Sequence, residues 1–225
     1  MKKGRDSVNS WEARYAAESD YLFGTIPSEF LLGQRALFTS GMSVLVVGDG
    51  EGRNGVWLAE QGLQVTSVDI SSTALEKAQA LADARGVAIT TLCADILADD
   101  QASLDILWSS SVFDQGFDLV VYIFVHLPPA ARTCIHQRML SVLKPGGLLL
   151  IEAYHRDHVH CDVGGPTDVV MLYDRSVLEN DFSDAGTLNS PAARILSYQE
   201  VSTDVVIAGA SVGQGAAINA IIQRL

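Results

Sequence analysis

Basic residues are scarce in this sequence: 15 Lys and Arg stand against 27 Asp and Glu over 225 residues, a formal net charge of −12. A chain this acidic is repelled by phosphate backbones, which argues against DNA or RNA as its substrate. Cysteine is sparse too. Cys93, Cys134 and Cys161 form an odd set without paired spacing, so they read as reduced thiols and not as a disulfide framework. Long apolar runs are missing, since the longest on a strand-like segment, Leu119 to Val125, falls far short of a bilayer span. The opening Met1-Lys2-Lys3-Gly4-Arg5-Asp6 is basic but leads into polar residues, without the apolar core of a secretory signal. Tandem repeats and low-complexity blocks are absent as well. The expectation is a soluble, cytoplasmic monomer or homodimer with a small-molecule substrate and neither nucleic acid nor membrane as partner.

What is present is an ordinary apolar share, 48% of residues, which excludes disorder as a description of the whole. The length suits one α/β domain over 1–225, with an N-terminal helical addition (1–40), a core (41–153) and a C-terminal part (154–225). Strands are predicted at Val44–Val47, Leu63–Val68, Val87–Cys93, Phe117–Val125 and Leu148–Ala153, the last entered through a turn at Pro145-Gly146-Gly147. Helices are predicted at Arg53–Gln61, from Ser72 or Thr73 to Arg85, and from Pro128-Pro129 to Leu143. Thr73 and Glu76 match a capping box, and His136 is expected on the surface of its helix. The stretch from Leu97 to Gln115 is polar and helix-like in part, and a short helix is expected near Ser176–Phe182. Two β-type runs, Ala193–Ile207 and Ala216–Gln223, close the sequence with Gly209, Gly213 and Gly215 between them. Alternating βα units followed by a strand pair predict a Rossmann-like, doubly wound, mostly parallel seven-stranded sheet with an antiparallel C-terminal pair.

The most informative stretch joins the first strand to the first helix of that core: Gly48-Asp49-Gly50-Glu51-Gly52-Arg53. Glycine lets a ligand lie directly against the backbone, and a helix N-terminus beyond it offers N–H groups to an anion. Asp69 ends the second strand, where an acid can accept hydrogen bonds from both hydroxyls of a ribose. Asp95 ends the third, within reach of an adenine ring. Gly50-x-Gly52-x-x-Gly55 also spells the dinucleotide pattern, which keeps an NAD(P)-dependent oxidoreductase as an alternative. The glycine that directly follows the strand is Gly48, however, and nothing later resembles a second mononucleotide half.

Gly48–Gly52, Val68-Asp69-Ile70-Ser71, Ala94-Asp95, Phe117-Asp118-Leu119-Val120 and Leu143-Lys144-Pro145-Gly146-Gly147 together resemble a class I S-adenosylmethionine-dependent methyltransferase. Trp11-Glu12-x-Arg14-Tyr15, Gly24-Thr25-x-Pro27, Gly50-Glu51-Gly52-Arg53-Asn54 and Gly164-Gly165-Pro166 resemble its tellurite-resistance branch. The resemblance implies S-adenosylmethionine as cofactor and methyl transfer to a thiol, a chalcogen oxyanion or another small nucleophile. It implies that Gly48, Asp49, Gly50 and Gly52 line the methionyl part, with Glu51 and Arg53 of the same loop also binding the cofactor. Asp69 would hold the ribose, with Ile70, Asp95 and Ile96 around the adenine. The backbone at Tyr122 and Ile123 would pass under the sulfonium, and Arg14 and Tyr15 would close over the cofactor. One departure is Val46, where many class I enzymes carry an acid. Asp49 or Glu51 is expected to take over contact with the methionine ammonium, and a non-catalytic cofactor-binding protein stays open as a further alternative.

His126 directly follows the fourth strand and Tyr154 ends the fifth, so both are candidates for catalysis or the acceptor pocket. The alternatives are helix capping or loop hydrogen bonding for His126 and simple packing for Tyr154. Between His155 and Asp162 lie His158, His160, Cys161 and Asp157, yet no second cluster completes a closed metal site. A substrate-facing loop without metal is expected.

Overall fold

Apolar runs too short to cross a membrane but continuous enough to be buried on both faces dictate the centre of a parallel sheet. A computed structural model describes residues 3–97, 114–183, 192–208 and 210–225. Its strands are β1 (Ser43–Val47), β2 (Gln64–Asp69), β3 (Ile89–Cys93), β4 (Phe117–Ile123), β5 (Leu143–Tyr154), β6 (Ala193–Ile207) and β7 (Ala210–Arg224). They form one sheet in the order β3-β2-β1-β4-β5-β7-β6. The β1–β2, β2–β3 and β4–β5 pairs are parallel and β5–β7 is antiparallel, which bears out the expected fold class. The helices are α1 (Lys3–Ala17), α2 (Glu29–Gly33), α3 (Arg53–Glu60), α4 (Ser72–Ala84), α5 (Pro129–Val142) and α6 (Arg175–Ser183). Among the described residues no helix is long and apolar enough to cross a membrane. Most of the predicted segment Leu97–Gln115, and Gly209, lie outside the described residues.

The chain divides into two compact units. The first comprises Met1–Gln115 and Ile207–Ala210. There β1 is buried from Val44 to Val47, and α3 stops at Gly62, whose φ of +86° turns the chain into β2. The capping box expected at Thr73 and Glu76 does not form. Ser71 caps α4 instead, its hydroxyl accepting the Ala74 N–H, because Thr73 already lies inside the helix. The N-terminal addition packs as an aromatic cluster of Tyr15, Leu22 and Ala74 with Trp11, Phe23 and Ile207 around them. The Ala208 N–H donates to the Leu22 carbonyl at 2.6 Å, tying the β6–β7 turn to this cluster.

The second unit comprises Gly116–Val206 and Ser211–Leu225. Three sequence expectations change here. Pro145-Gly146-Gly147 does not precede the fifth strand but lies inside it, as an irregularity that shifts the β4–β5 register between Phe117↔Leu143 and Leu119↔Leu148. Gly213 and Gly215 lie within β7, not between strands, because that strand begins at Ala210. His136 is fully buried, not on the helix surface. Its helix has polar groups on the packed face because α6 supplies partners for them. Arg132 Nε donates to Asp181 Oδ2 at 2.7 Å, Thr133 Oγ1 donates to Asp181 Oδ1 at 2.6 Å, and His136 Nδ1 lies 3.0 Å from Asp181 Oδ2. The other imidazole nitrogen lies 3.2 Å from the Tyr173 hydroxyl.

Candidate active site

In the first unit the chain leaves β1 through Gly48 and enters α3 at Arg53. The two acids of this loop face inward. Asp49 is buried and accepts from Ser67 Oγ at 2.6 Å and from the Gly55 N–H at 3.1 Å. A Cβ at residue 55 would collide with that carboxylate and with the Ser67 hydroxyl, so glycine there is what admits the acid. Burial pushes the Asp49 carboxyl up to about 6, against the opposing pull of the Ser67 and Gly55 hydrogen bonds. Asp49 thus answers one of the α3 N–H groups that the sequence had left for a ligand. Glu51 is also buried, with one oxygen 2.8 Å from Lys77 Nζ and the other accepting the Leu22 N–H at 2.7 Å. The carbonyls of Tyr15, Glu18 and Asp20 also surround Lys77 Nζ at 2.9, 2.9 and 2.8 Å, so its three N–H groups are shared among four acceptors. Each oxygen of the two acids expected at the methionine ammonium therefore already has a protein partner. A carboxylate shut away from water demands such partners.

Asp69 is arranged differently. It is 8% exposed, and its Oδ2 accepts the Gly50 N–H at 2.8 Å while its Oδ1 accepts the Ser71 N–H at 2.9 Å. Each carboxylate oxygen has about two acceptor sites, and the backbone N–H groups of Gly50, Ser71 and Ile70 take up part of them, which leaves room for a further donor. Burial raises its pKa, with the Ser71, Gly50 and Ile70 N–H groups opposing. A carboxylate clamped at the end of a strand suits the hydroxyls of a ribose. Ile70 and Ile96 are half-buried beside the ends of β2 and β3, and Asp95 turns back to accept the Leu97 N–H at 2.7 Å.

The N-terminal pair separates. Tyr15 is buried, and its hydroxyl would lie 2.6 Å from a Cβ at Gly50, so the phenol lies against the loop where only glycine leaves room. Arg14 is exposed, its guanidinium 4.4 Å from the centre of the Trp11 ring.

In the second unit β4 ends with Tyr122 and Ile123 buried, and Phe124 follows at φ +55°, a left-handed conformation that costs a phenylalanine energy. The Phe124 ring packs 4.7 Å from that of Tyr154. Tyr154 is sandwiched between His126, at 5.2 Å and 16°, and His158, at 3.8 Å and 18°. His126 Nε2 accepts the Tyr154 N–H at 2.9 Å, which leaves Nδ1, 3.1 Å from the Phe124 carbonyl, to carry the proton. Both nitrogens of this imidazole are thus engaged by backbone. Burial lowers its pKa to about 4, the Phe124 hydrogen bond opposing. A histidine held neutral in the fold contributes stability above its ordinary value near 6.5, and that contribution is lost as pH falls from 6.5 toward 4. His126→Gln is therefore expected to flatten the fall in urea midpoint between pH 6.5 and pH 4, with denaturation curves across that range as the check. Equal slopes in both proteins would show the imidazole titrating freely.

The histidine-rich loop does not converge. His158 is buried with Nε2 2.7 Å from the Gly164 carbonyl, while His160 is exposed. Among the described residues no group of three His, Cys, Asp or Glu side chains is placed to hold a metal ion. The sequence assigned no role of their own to Ser71, Lys77 and Phe124. Ser71 alone carried a local signal, as a hydroxyl directly before a helix.

Residues 44–147 match the family model described as a methyltransferase domain. The matched stretch runs from β1 into β5 of the sheet, and so takes in the glycine loop and Asp69. The chain is similar to the tRNA 5-carboxymethoxyuridine methyltransferase of Escherichia coli (strain K12), 31% identical over 132 residues, or 58% of this chain and 48% of that protein. It thus spans about half the length of that relative. It is also similar to the ubiquinone biosynthesis O-methyltransferase of Idiomarina loihiensis, 26% identical over 193 residues, covering 75% of this chain and 74% of that one. Among solved structures, one from work on the conversion of a disulfide bond into a thioacetal group during echinomycin biosynthesis covers 100% of this chain and 91% of its own. Its TM-score is 0.72 at 20% identity. TehB from Haemophilus influenzae gives a TM-score of 0.64 at 19% identity, covering 87% of this chain and 61% of its own. At these identities the fold is what is shared.

Proposed function

We propose that this protein transfers a methyl group from S-adenosylmethionine to a small-molecule acceptor: a thiol, a chalcogen oxyanion or another small nucleophile. The observation that carries the reading is Asp69, a carboxylate clamped by backbone N–H groups of Gly50, Ser71 and Ile70 at the end of β2. When bound, the cofactor supplies a methyl group activated by its sulfonium, which a nucleophile's lone pair displaces in line as the carbon–sulfur pair returns to sulfur.

In this reading Asp69 binds the ribose, while Ile70, Asp95 and Ile96 surround the adenine. The loop from Gly48 to Arg53 lines the methionyl part, and the backbone of Tyr122 and Ile123 is the stretch that the resemblance assigns to the sulfur. Tyr15 covers the cofactor and keeps water out, while Arg14, exposed over Trp11, supports that cover from outside. Tyr154 forms an acceptor wall, and His126, its nitrogens committed to Phe124 and Tyr154, holds that wall rather than taking a proton. An acceptor that reacts as a soft anion needs no base, which favours thiolates and chalcogen oxyanions over neutral hydroxyls. That preference agrees with the motifs shared with the tellurite-resistance branch.

A second reading is RNA methylation, favoured by the likeness to a tRNA methyltransferase and opposed by the net charge of −12. The test is a radiolabel screen with thiols, selenite, tellurite, small amines, phenols and unfractionated tRNA as acceptors, alongside thermal shifts with S-adenosylhomocysteine and NAD(H). Label on a small acceptor and a shift with S-adenosylhomocysteine alone are expected. Label on tRNA alone would move the assignment to RNA. Stabilisation by S-adenosylhomocysteine without transfer to anything would leave a binding protein, and a shift with NAD(H) alone would return the oxidoreductase.

A further inference from the structure

The N-terminal helix touches the cofactor side of the first unit through more than Tyr15. Glu12, one helical turn before Tyr15, reaches the start of α4, where its Oε2 accepts from Ser71 Oγ and its Oε1 from Thr73 Oγ1, both at 2.5 Å. The Thr73 N–H points to Oε2 at 3.4 Å. An acid at a helix N-terminus is favourable on general grounds, and these hydroxyls hold the Glu12 carboxyl below its ordinary range. What makes the contact more than capping is the identity of its partner. The hydroxyl of Ser71 donates to Glu12 and accepts from the Ala74 N–H, while the backbone N–H of the same residue donates to Asp69 Oδ1. Ser71 is fully buried, so its hydroxyl has no water to turn to when an acceptor is withdrawn.

We propose that Glu12 is a positioning residue for the cofactor's ribose, acting through Ser71 on the Asp69 carboxylate. The proposal rests on the reading of Asp69 as the ribose ligand. Asp69 has a tether on each oxygen, Gly50 on Oδ2 and Ser71 on Oδ1, with the Ile70 N–H as a further backbone donor. With Glu12 in place, Ser71 is held at both its hydroxyl and its amide, and the carboxylate plane is fixed against rotation. Without it, the Ser71 hydroxyl must find another acceptor, and the Oδ1 tether loosens while the Oδ2 tether stays. One hydroxyl of a cis-diol then loses its aligned acceptor and the other keeps it. Glu12 thereby makes α1 part of sugar recognition, in addition to its role as a cover.

Calorimetry with S-adenosylhomocysteine and its 2′-deoxy and 3′-deoxy analogues tests this, because general loosening of α1 weakens all three ligands alike. In the parent protein at least one deoxy analogue is expected to bind about tenfold or more weakly than the ribose form, the loss of one charge-assisted hydrogen bond. In Glu12→Gln the ribose form is expected to weaken by about tenfold and that discrimination to shrink to about threefold or less. Ser71→Ala should reproduce the effect, and the double variant should be no worse than the worse single one, since both act on one path. A Glu12→Gln protein with unaltered discrimination, beside an Asp69→Ala protein that has lost it, overturns the role of Glu12 and leaves the ribose assignment standing. Absence of discrimination in the parent, or its persistence in Asp69→Ala, overturns both.

Discussion

Asp69→Ala is expected to reduce the affinity for S-adenosylhomocysteine by at least about 100-fold while the protein still unfolds in a single cooperative transition. A hydrogen bond to a charged group contributes roughly 1.5–3 kcal/mol, and two ribose hydroxyls on one carboxylate together supply about 100-fold or more. The fold tolerates the change better than the ligand does. The Gly50 and Ser71 N–H groups lose their acceptor, a cost of roughly 1–3 kcal/mol each if both stayed dry and less where water enters from the binding face. Asp69→Asn is expected to fall between, because one oxygen becomes a donor facing a donor. Calorimetry for affinity and urea unfolding for stability separate the two effects. Unchanged affinity in the alanine protein would remove the ribose from this carboxylate.

The largest loss of stability is expected in the second unit, at Asp181. Its side chain is 4% exposed and balances that of Arg132, itself 6% exposed, at 2.7 Å. Asp181→Ala leaves that guanidinium buried without a counter-charge, for which the expected cost is roughly 3–5 kcal/mol. Thr133 Oγ1 loses its acceptor as well. Replacing Arg132 together with Asp181 by apolar residues of similar volume should recover much of the loss, because the penalty belongs to the stranded charge and not to the missing attraction. Burial alone would raise the Asp181 carboxyl, but the hydrogen bonds from His136, Arg132 and Thr133 outweigh it and hold the group below its ordinary 3.8. A carboxyl lowered in the fold stabilises above its unfolded value, so this contribution is lost as pH drops below 3.8. Urea midpoints of the single and double variants at neutral and acid pH are the measurement. A single variant as stable as the parent would show the pair to be dispensable.

The strands, the loop after β1 and the acid at the end of β2 were legible because each is a local pattern. Val44–Val47 is apolar without a break, glycines follow it, and Asp69 stands where β2 runs out. The partners of the acids were not legible. Asp49 and Glu51 are adjacent to ligand-lining glycines in sequence, and only the positions of Ser67, Gly55, Leu22 and Lys77 in space turn both carboxylates inward. His136 looked like a surface residue because α5 carries polar groups on every side. Its burial depends on Asp181 and Phe182 from α6, and on Tyr173, none of them within one helical turn in the sequence. The start of α4 misled for a related reason: Thr73 and Glu76 have the spacing of a cap, but Ser71 occupies the cap position and Thr73 is taken by Glu12.

Order along the chain, hydrophobic periodicity and the placement of glycine are enough to dictate a wound sheet with a backbone-lined rim, because each depends on neighbours a few residues apart. Which carboxylates point outward from that rim, and which disappear beneath it, depended on residues brought together from distant segments. A buried charge survives only beside a partner, and partners are chosen when the chain has folded.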